Sequence, residues 1–308
     1  MTKDVVRQWE KIFGKDMAQY LHMIDALALN SQKTRYSFTE NEQFETLINC
    51  NHAKAMQTYC GEILARSHLG AVTSILRSRR WITAVLSAFN QTNLLAFAAA
   101  LRGFIESAAD SSTSLGSVPL SLATNNDLIV RALSGSLGEG LVSAKELEDA
   151  LIHFAFARHV PKAEFQTTPP SHNAKHVREY IKILEEGGVP GVLKCYQTVC
   201  DLTHPGMSSV WMWLRPRGDL EFELNPNQEA SDIAGLLREY VETIQKTAMF
   251  AFNPGVVTLR VLNYFPIEHF HTSGLMTWNL SGFPLWQKCL VGLNGAPPRN
   301  KERPRMVR

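Results

Sequence analysis

The chain has 308 residues, 45% of them hydrophobic and 19% charged, with a formal net charge of +2. This composition excludes a disordered chain and leaves material for one large domain or two ordinary ones. Residues 299–308 hold five Arg and Lys against Glu302, a net of +4, so residues 1–298 carry −2 and lack the positive excess of a nucleic-acid binder.

In chain order, residues 4–29 read as a helix, with Val5, Trp9, Ile12, Phe13, Met17, Tyr20, Leu21, Ile24 and Leu27 at three-four spacing. Gly14 weakens or bends it. Thr39 and Glu42 form a capping-box pattern. It predicts a second helix that turns Phe44, Leu47, Ile48, Ala55, Tyr59, Ile63 and Leu64 inward. A long helix is expected from about 71 to 110, apolar nearly all round in its later part. Residues 81–101 include no charge over 21 positions, the length of a membrane span. Asn90-Gln91-Thr92-Asn93 in the middle would put amides into lipid on every face, so a buried core helix is the expectation.

Residues 111–126, rich in Ser, Thr and Asn, read as a loop. A short helix around 126–134 should end in a turn with Gly135, Gly138 and Gly140. Ser143 and Glu146 suggest a second capping box, opening a helix to about His159. Helices are expected at 173–186, stopped by Gly187-Gly188, and at about 190–203, with Pro190 in its first turn. Over 209–224 the period changes to two, predicting a short β-hairpin. An amphipathic helix at 228–252 should stop at Asn253-Pro254-Gly255. The remainder to Leu293 is apolar but broken by Pro266 and Pro284, and residues 295–308 read as a disordered basic tail. The pattern is mainly α: a multi-helix antiparallel bundle with one hairpin. It forms one domain over 1–294, of which residues 1–70 could make a peripheral subdomain.

Five cysteines, an odd number with no Cys-x-x-Cys pair, argue for reduced thiols, and residues 1–9 lack the apolar core of a secretory signal. The expectation is a cytoplasmic protein.

Two segments could carry chemistry. In Leu101-Arg102-Gly103-Phe104-Ile105-Glu106, Arg102 and Glu106 share a helical face, and Gln91, eleven residues or almost three full turns before Arg102, shares it too. A charge on so apolar a helix needs a partner. In Tyr196-x3-Cys200-Asp201-x2-His204-Pro205, Tyr196, Cys200 and His204 lie on one face, with His204 at the helix end.

The paired segments LRGFIES and YQTVCDLTHPG resemble bacterial helical proteins of the HEPN-like superfamily (higher eukaryotes and prokaryotes nucleotide-binding). The resemblance covers about residues 85–110 and 190–206. It implies an antiparallel helical bundle, often a homodimer, with no cofactor and no metal. Many members are metal-independent endoribonucleases in phage defence, toxin–antitoxin or RNA-processing systems. Their signature is an arginine four to six residues before a histidine. Here Cys200, Val199 and Thr198 occupy those positions, so Arg102 from another helix would take the arginine's place. On this reading Arg102 faces phosphate, His204 is the acid–base, and Glu106 and Asp201 orient them. Gln91, Tyr196, Trp211 and Trp213 would help to bind RNA or a nucleotide.

Plainer readings stand beside these. His204 could cap helix carbonyls, where its charge is favourable. Arg102 and Glu106 could be an ion pair that sets helix register, within a non-catalytic interaction or sensor module. Trp211 and Trp213, beside Arg215 and Arg217, could stack on bases, or plug the hairpin onto the bundle or a second subunit. His172, His176, His269 and His271 could converge on a metal, against a solvent-exposed helix start for the first pair.

Overall fold

Apolar residues at helical spacing fold here as long helices, with Ser and Thr tolerated inside them where their hydroxyls find a preceding carbonyl. The computed structural model describes residues 3–15, 17, 20, 24–27, 34–138, 143–225, 227–272, 274–293 and 295. The fold is mainly α with one two-stranded antiparallel hairpin. Residues 296–308, read as a basic tail, and Gly140 lie outside the described residues.

The elements are α1 (Lys3–Phe13), α2 (Asn41–Cys50), α3 (His52–Asn90), α4 (Leu94–Leu115), α5 (Val118–Thr124), α6 (Asn126–Leu133), α7 (Lys145–Phe156), α8 (Val177–Glu186), α9 (Val192–Thr203), α10 (Met207–Trp211), β1 (Leu214–Pro216), β2 (Phe222–Leu224), α11 (Glu229–Leu262) and α12 (Pro284–Gly292). They form two compact units. The first takes residues 1–24, 76–113 and 175–252; the second takes 25–75, 114–174 and 253–308. Helices α3, α4 and α11 contribute to both.

In the first unit, Trp9, Ile12 and Phe13 of α1, Phe97, Leu101, Phe104 and Ile105 of α4, and Val192, Cys195 and Val199 of α9 are all buried. Phe13 meets Phe104 edge-on, with ring centroids 5.9 Å apart. In the second unit, Ile63 and Leu64 of α3, Leu122 of α5, Ile129 of α6, and Val257 and Val261 of α11 are buried. Helix α5 packs on α12.

Several boundaries differ from the sequence reading. Helix α1 stops at Gly14, whose φ of +86° is left-handed. The region expected as a helix over 71–110 is split, because α3 runs from His52 to Asn90 and Gln91-Thr92-Asn93 make a turn with Thr92 at φ +53°. Asn93 serves both helices: its N–H donates to the Ala88 carbonyl, and its Oδ1 accepts from the Ala96 N–H at 2.8 Å. The four polar residues that argued against a membrane span are this turn and its edge. No helix among the described residues is long and apolar enough to cross a membrane.

The expected loop at 111–126 is helical instead. Ser111 and Ser114 are buried on α4, and Val118, Leu122 and Ala123 supply a core face for α5. Neither capping box forms. The backbone N–H of Thr39 donates to Glu62 at 2.6 Å, and that of Ala144 to the Tyr59 hydroxyl at 3.1 Å. Both helices begin one residue past those contacts or later, without a side-chain cap. Helix α2 buries no residue, and Ile48, expected inside, is exposed.

Helix α8 starts at Val177, later than expected, so His172 falls in a 3-10 turn and His176 is its N-cap residue. The hairpin is shorter than 209–224, because Met207–Trp211 coil into α10 and Trp213 lies in the turn before β1. Helix α11 continues through Pro254 to Leu262. Gly255 explains this: a Cβ there would come within 2.9 Å of the Ala71 carbonyl oxygen, so α11 and α3 touch backbone to backbone. That packing outweighs the proline's preference to end the helix.

Candidate functional site

Helix α4 turns Leu101, Phe104, Ile105 and Ala108 into the core, which leaves Arg102 and Glu106 together on its outer face. The Arg102 Nε donates to Glu106 Oε1 at 2.9 Å. The Tyr196 hydroxyl on α9 donates to the same oxygen, also at 2.9 Å. The guanidinium sits 5.9 Å from the Tyr196 ring centroid. Cys200, one turn further along α9, faces Arg102. The contacts pair Glu106 with Tyr196 and Arg102 with Cys200, so α4 and α9 run antiparallel. Between Arg102 and Glu106 the Gly103 backbone receives the Trp81 indole, and a Cβ there would stand 2.5 Å from it.

The electrostatics follow from this geometry. The hydrogen bond to Glu106 raises the Arg102 pKa further above its usual value. Burial pushes the Tyr196 phenol up, and its contacts with Cys200 and the Glu106 carboxylate add to the shift. Tyr196 is thus a protonated donor at any physiological pH. Arg102 and Glu106 are each about one third exposed, so the pair is screened and contributes about 1 kcal/mol or less. One positive and one negative charge cancel here.

The other expected site residues go elsewhere. His204 ends α9 with an extended backbone; its N–H donates to the Cys200 carbonyl at 2.8 Å, and its exposed ring makes no hydrogen bond among the described residues. It stands about 6 Å further along the helix axis than Cys200. Asp201 is exposed and lines a different cleft, described below. Gln91 lies in the α3–α4 turn, where its side-chain amide donates to the Ser87 hydroxyl at 3.0 Å. The turn breaks the helical phase that would have aligned Gln91 with Arg102. Trp211 packs edge-on against Phe222 with centroids 4.6 Å apart, and Trp213 is half-buried. Among the described residues no group of three or more His, Cys, Asp or Glu is placed to hold a metal ion.

Sequence reasoning missed two arrangements. One is in the second unit, where the Tyr36 hydroxyl hydrogen-bonds His68 and both rings stack near Phe270. The residues are 32 apart, and no local pattern links them. The other is a cleft in the first unit with Asp201, Asp232 and Arg238 on its walls. Its only trace in the sequence is Gly235, a helix-weakening residue inside an otherwise strong helix.

No known protein family, curated protein or solved structure matches the chain.

Proposed function

We propose that this chain is a non-catalytic interaction module that docks onto a second copy of itself through its hairpin. The observation that carries the reading is the hairpin's exposed apolar face. The register pairs Leu214 with Leu224 and Pro216 with Phe222, so these four side chains share one face, and Arg215 and Glu223 share the other. Leu224 is 68% exposed, and Val210, Trp211 and Leu220 beside it are exposed as well. A two-stranded hairpin is marginal by itself and gains from being covered. The charges on the other face are already matched within the chain, Arg217 by Glu223 and Arg215 by the Gln228 side chain, so the apolar face is what remains to be covered, and a two-fold axis can set it against the same face of a second copy. The Arg102–Glu106–Tyr196 cluster then serves as a structural network.

Sedimentation of the full chain tests this. The expected result is a concentration-dependent dimer that Leu224→Glu converts to a folded monomer. A wild type that stays monomeric up to high micromolar concentration would sink the reading.

The exposed His204 favours a second reading, the HEPN-like metal-independent ribonuclease of a defence or stress response, with Arg102 against phosphate and Glu106 and Asp201 as orienting groups. Against it stands the Arg102 charge, already balanced by Glu106. RNA cleavage in EDTA, lost in His204→Ala, would carry this second reading and displace the first.

A further inference from the structure

The first unit has a cleft of about 560 Å³, within the roughly 300–1,000 Å³ typical of small-molecule sites. Its walls come from α9 (Thr198, Asp201, Leu202), from α11 (Ser231, Asp232, Gly235, Leu236, Arg238) and from Leu94, Ser208, Met212 and Gln228. Helices α9 and α11 run antiparallel along it. Thr243 donates to the Pro190 carbonyl at 3.0 Å, Lys194 pairs with Glu239 at 2.7 Å, and the Thr198 and Tyr240 hydroxyls are 2.9 Å apart. Continuing those contacts brings Asp201 level with residues 232–237 of α11, the stretch that carries Asp232 and Gly235.

The cleft therefore carries two carboxylates and a guanidinium on its walls. The Asp232 and Arg238 backbones are about 9 Å apart along the helix axis, but the Arg238 guanidinium reaches back toward Gly235. Among the described residues none of Asp201, Asp232 and Arg238 makes an ion pair or a side-chain hydrogen bond, although opposite charges line the same cleft. Burial raises the Asp232 pKa even with Arg215 nearby to lower it, and Glu229 adds to the rise. Between Asp232 and Arg238 on α11 lies Gly235. A Cβ there would meet nothing closer than Arg238 Nη2 at 3.9 Å, so no packing demands a glycine at this helical position. A mid-helix glycine costs about 1 kcal/mol against alanine, and here it leaves room for the Arg238 guanidinium to lie on the cleft floor. Leu94, Leu202, Met212 and Leu236 give that floor its apolar part.

We propose that this cleft binds a small zwitterion, with an amine held by Asp232 and Asp201, a carboxylate or phosphate held by Arg238 above Gly235, and the apolar chain between them against Leu94, Leu202, Met212 and Leu236. Unlike charges that do not reach one another are satisfied together by a ligand that carries both complements. The site shares no recognition residue with the hairpin face, so it stands or falls apart from the docking reading.

Calorimetric titration of the full chain tests it, with 6-aminohexanoate as probe and hexylamine and hexanoate as single-ended controls. The probe should bind at least tenfold more tightly than either control. Asp232→Asn and Arg238→Gln should each weaken it at least tenfold, and Gly235→Leu should abolish it; thermal melts check that each variant is folded. Leu224→Glu should bind as the wild type does, so failure of dimerisation leaves this result intact. No heat with the probe, equal binding of the controls, or folded variants that bind unchanged would each overturn the proposal.

Discussion

The Tyr36 hydroxyl lies 2.7 Å from His68 Nδ1, and the imidazole is only 3% exposed. The two share a hydrogen bond, and burial holds the histidine neutral.

Burial brings the His68 pKa down from 6.5 to about 4, and the charge of His269 pushes the same way. Between those values the unfolded chain binds a proton that the folded chain excludes. The stability from neutral His68 is thus complete above about pH 6.5 and is lost as the pH falls toward 4, by up to about 3 kcal/mol. Urea unfolding at pH 7 and pH 4.5 should show this loss in the wild type. In His68→Phe the loss should be smaller by about 2 kcal/mol; an equal loss in both proteins would refute the assignment.

The shared Glu106 oxygen gives a second prediction. Glu106→Gln and Tyr196→Phe should each destabilise by about 1 kcal/mol, since the groups are partly exposed, the first change takes the charge out of two hydrogen bonds and the second removes one of them. A double-mutant cycle should give a coupling energy of about 0.5–1 kcal/mol. Additive effects would mean that α9 is not tied to α4 through this carboxylate.

Gly255→Ala should be costly although alanine favours helices. Its Cβ would meet the Ala71 carbonyl, the Ile75 side chain and the Ser74 hydroxyl, all at 2.9 Å. Overpacking of this kind costs about 1–3 kcal/mol. A thermal melt that is unchanged or raised would show that α3 and α11 can separate there without loss.

The turn between α3 and α4 should be sensitive to its cap. Asn93→Ala removes the acceptor for the Ala96 N–H and should cost about 1 kcal/mol. Glu229→Gln should cost less, because an amide oxygen can still accept from the Leu94 N–H, now at 3.1 Å. Hydrogen exchange at residues 94–97 reports both: faster exchange in the first variant, near wild-type exchange in the second.

The helical class and the hairpin were legible because apolar spacing reports them directly. The Arg102–Glu106 pair was legible too, since four residues on a helix define a face. Tyr196 was flagged on its own face, but nothing local said that its hydroxyl would reach Glu106. The misread boundaries share a cause. Thr39, Ser143 and Pro254 carry strong local signals, and in each case a tertiary contact took over: Glu62, Tyr59 and the Ala71 backbone. Gln91 was assigned to the Arg102 face because the sequence pattern does not reveal a break in helical phase at Thr92. The cleft was invisible for the same reason that Tyr36–His68 was. Its walls come from segments far apart in the chain.

The single oxygen of Glu106 that accepts from both Arg102 and Tyr196 also acts as a phase reference for α4. A residue inserted after Ala98 would leave the capping turn before it untouched and keep the arginine and glutamate four apart. It would nonetheless rotate both by about 100° about the helix axis. The tyrosine would then donate to water, and the phenylalanine and leucines that now face inward would be carried out of the core. The length of chain between the turn and the carboxylate is therefore under as tight a constraint as the residues themselves.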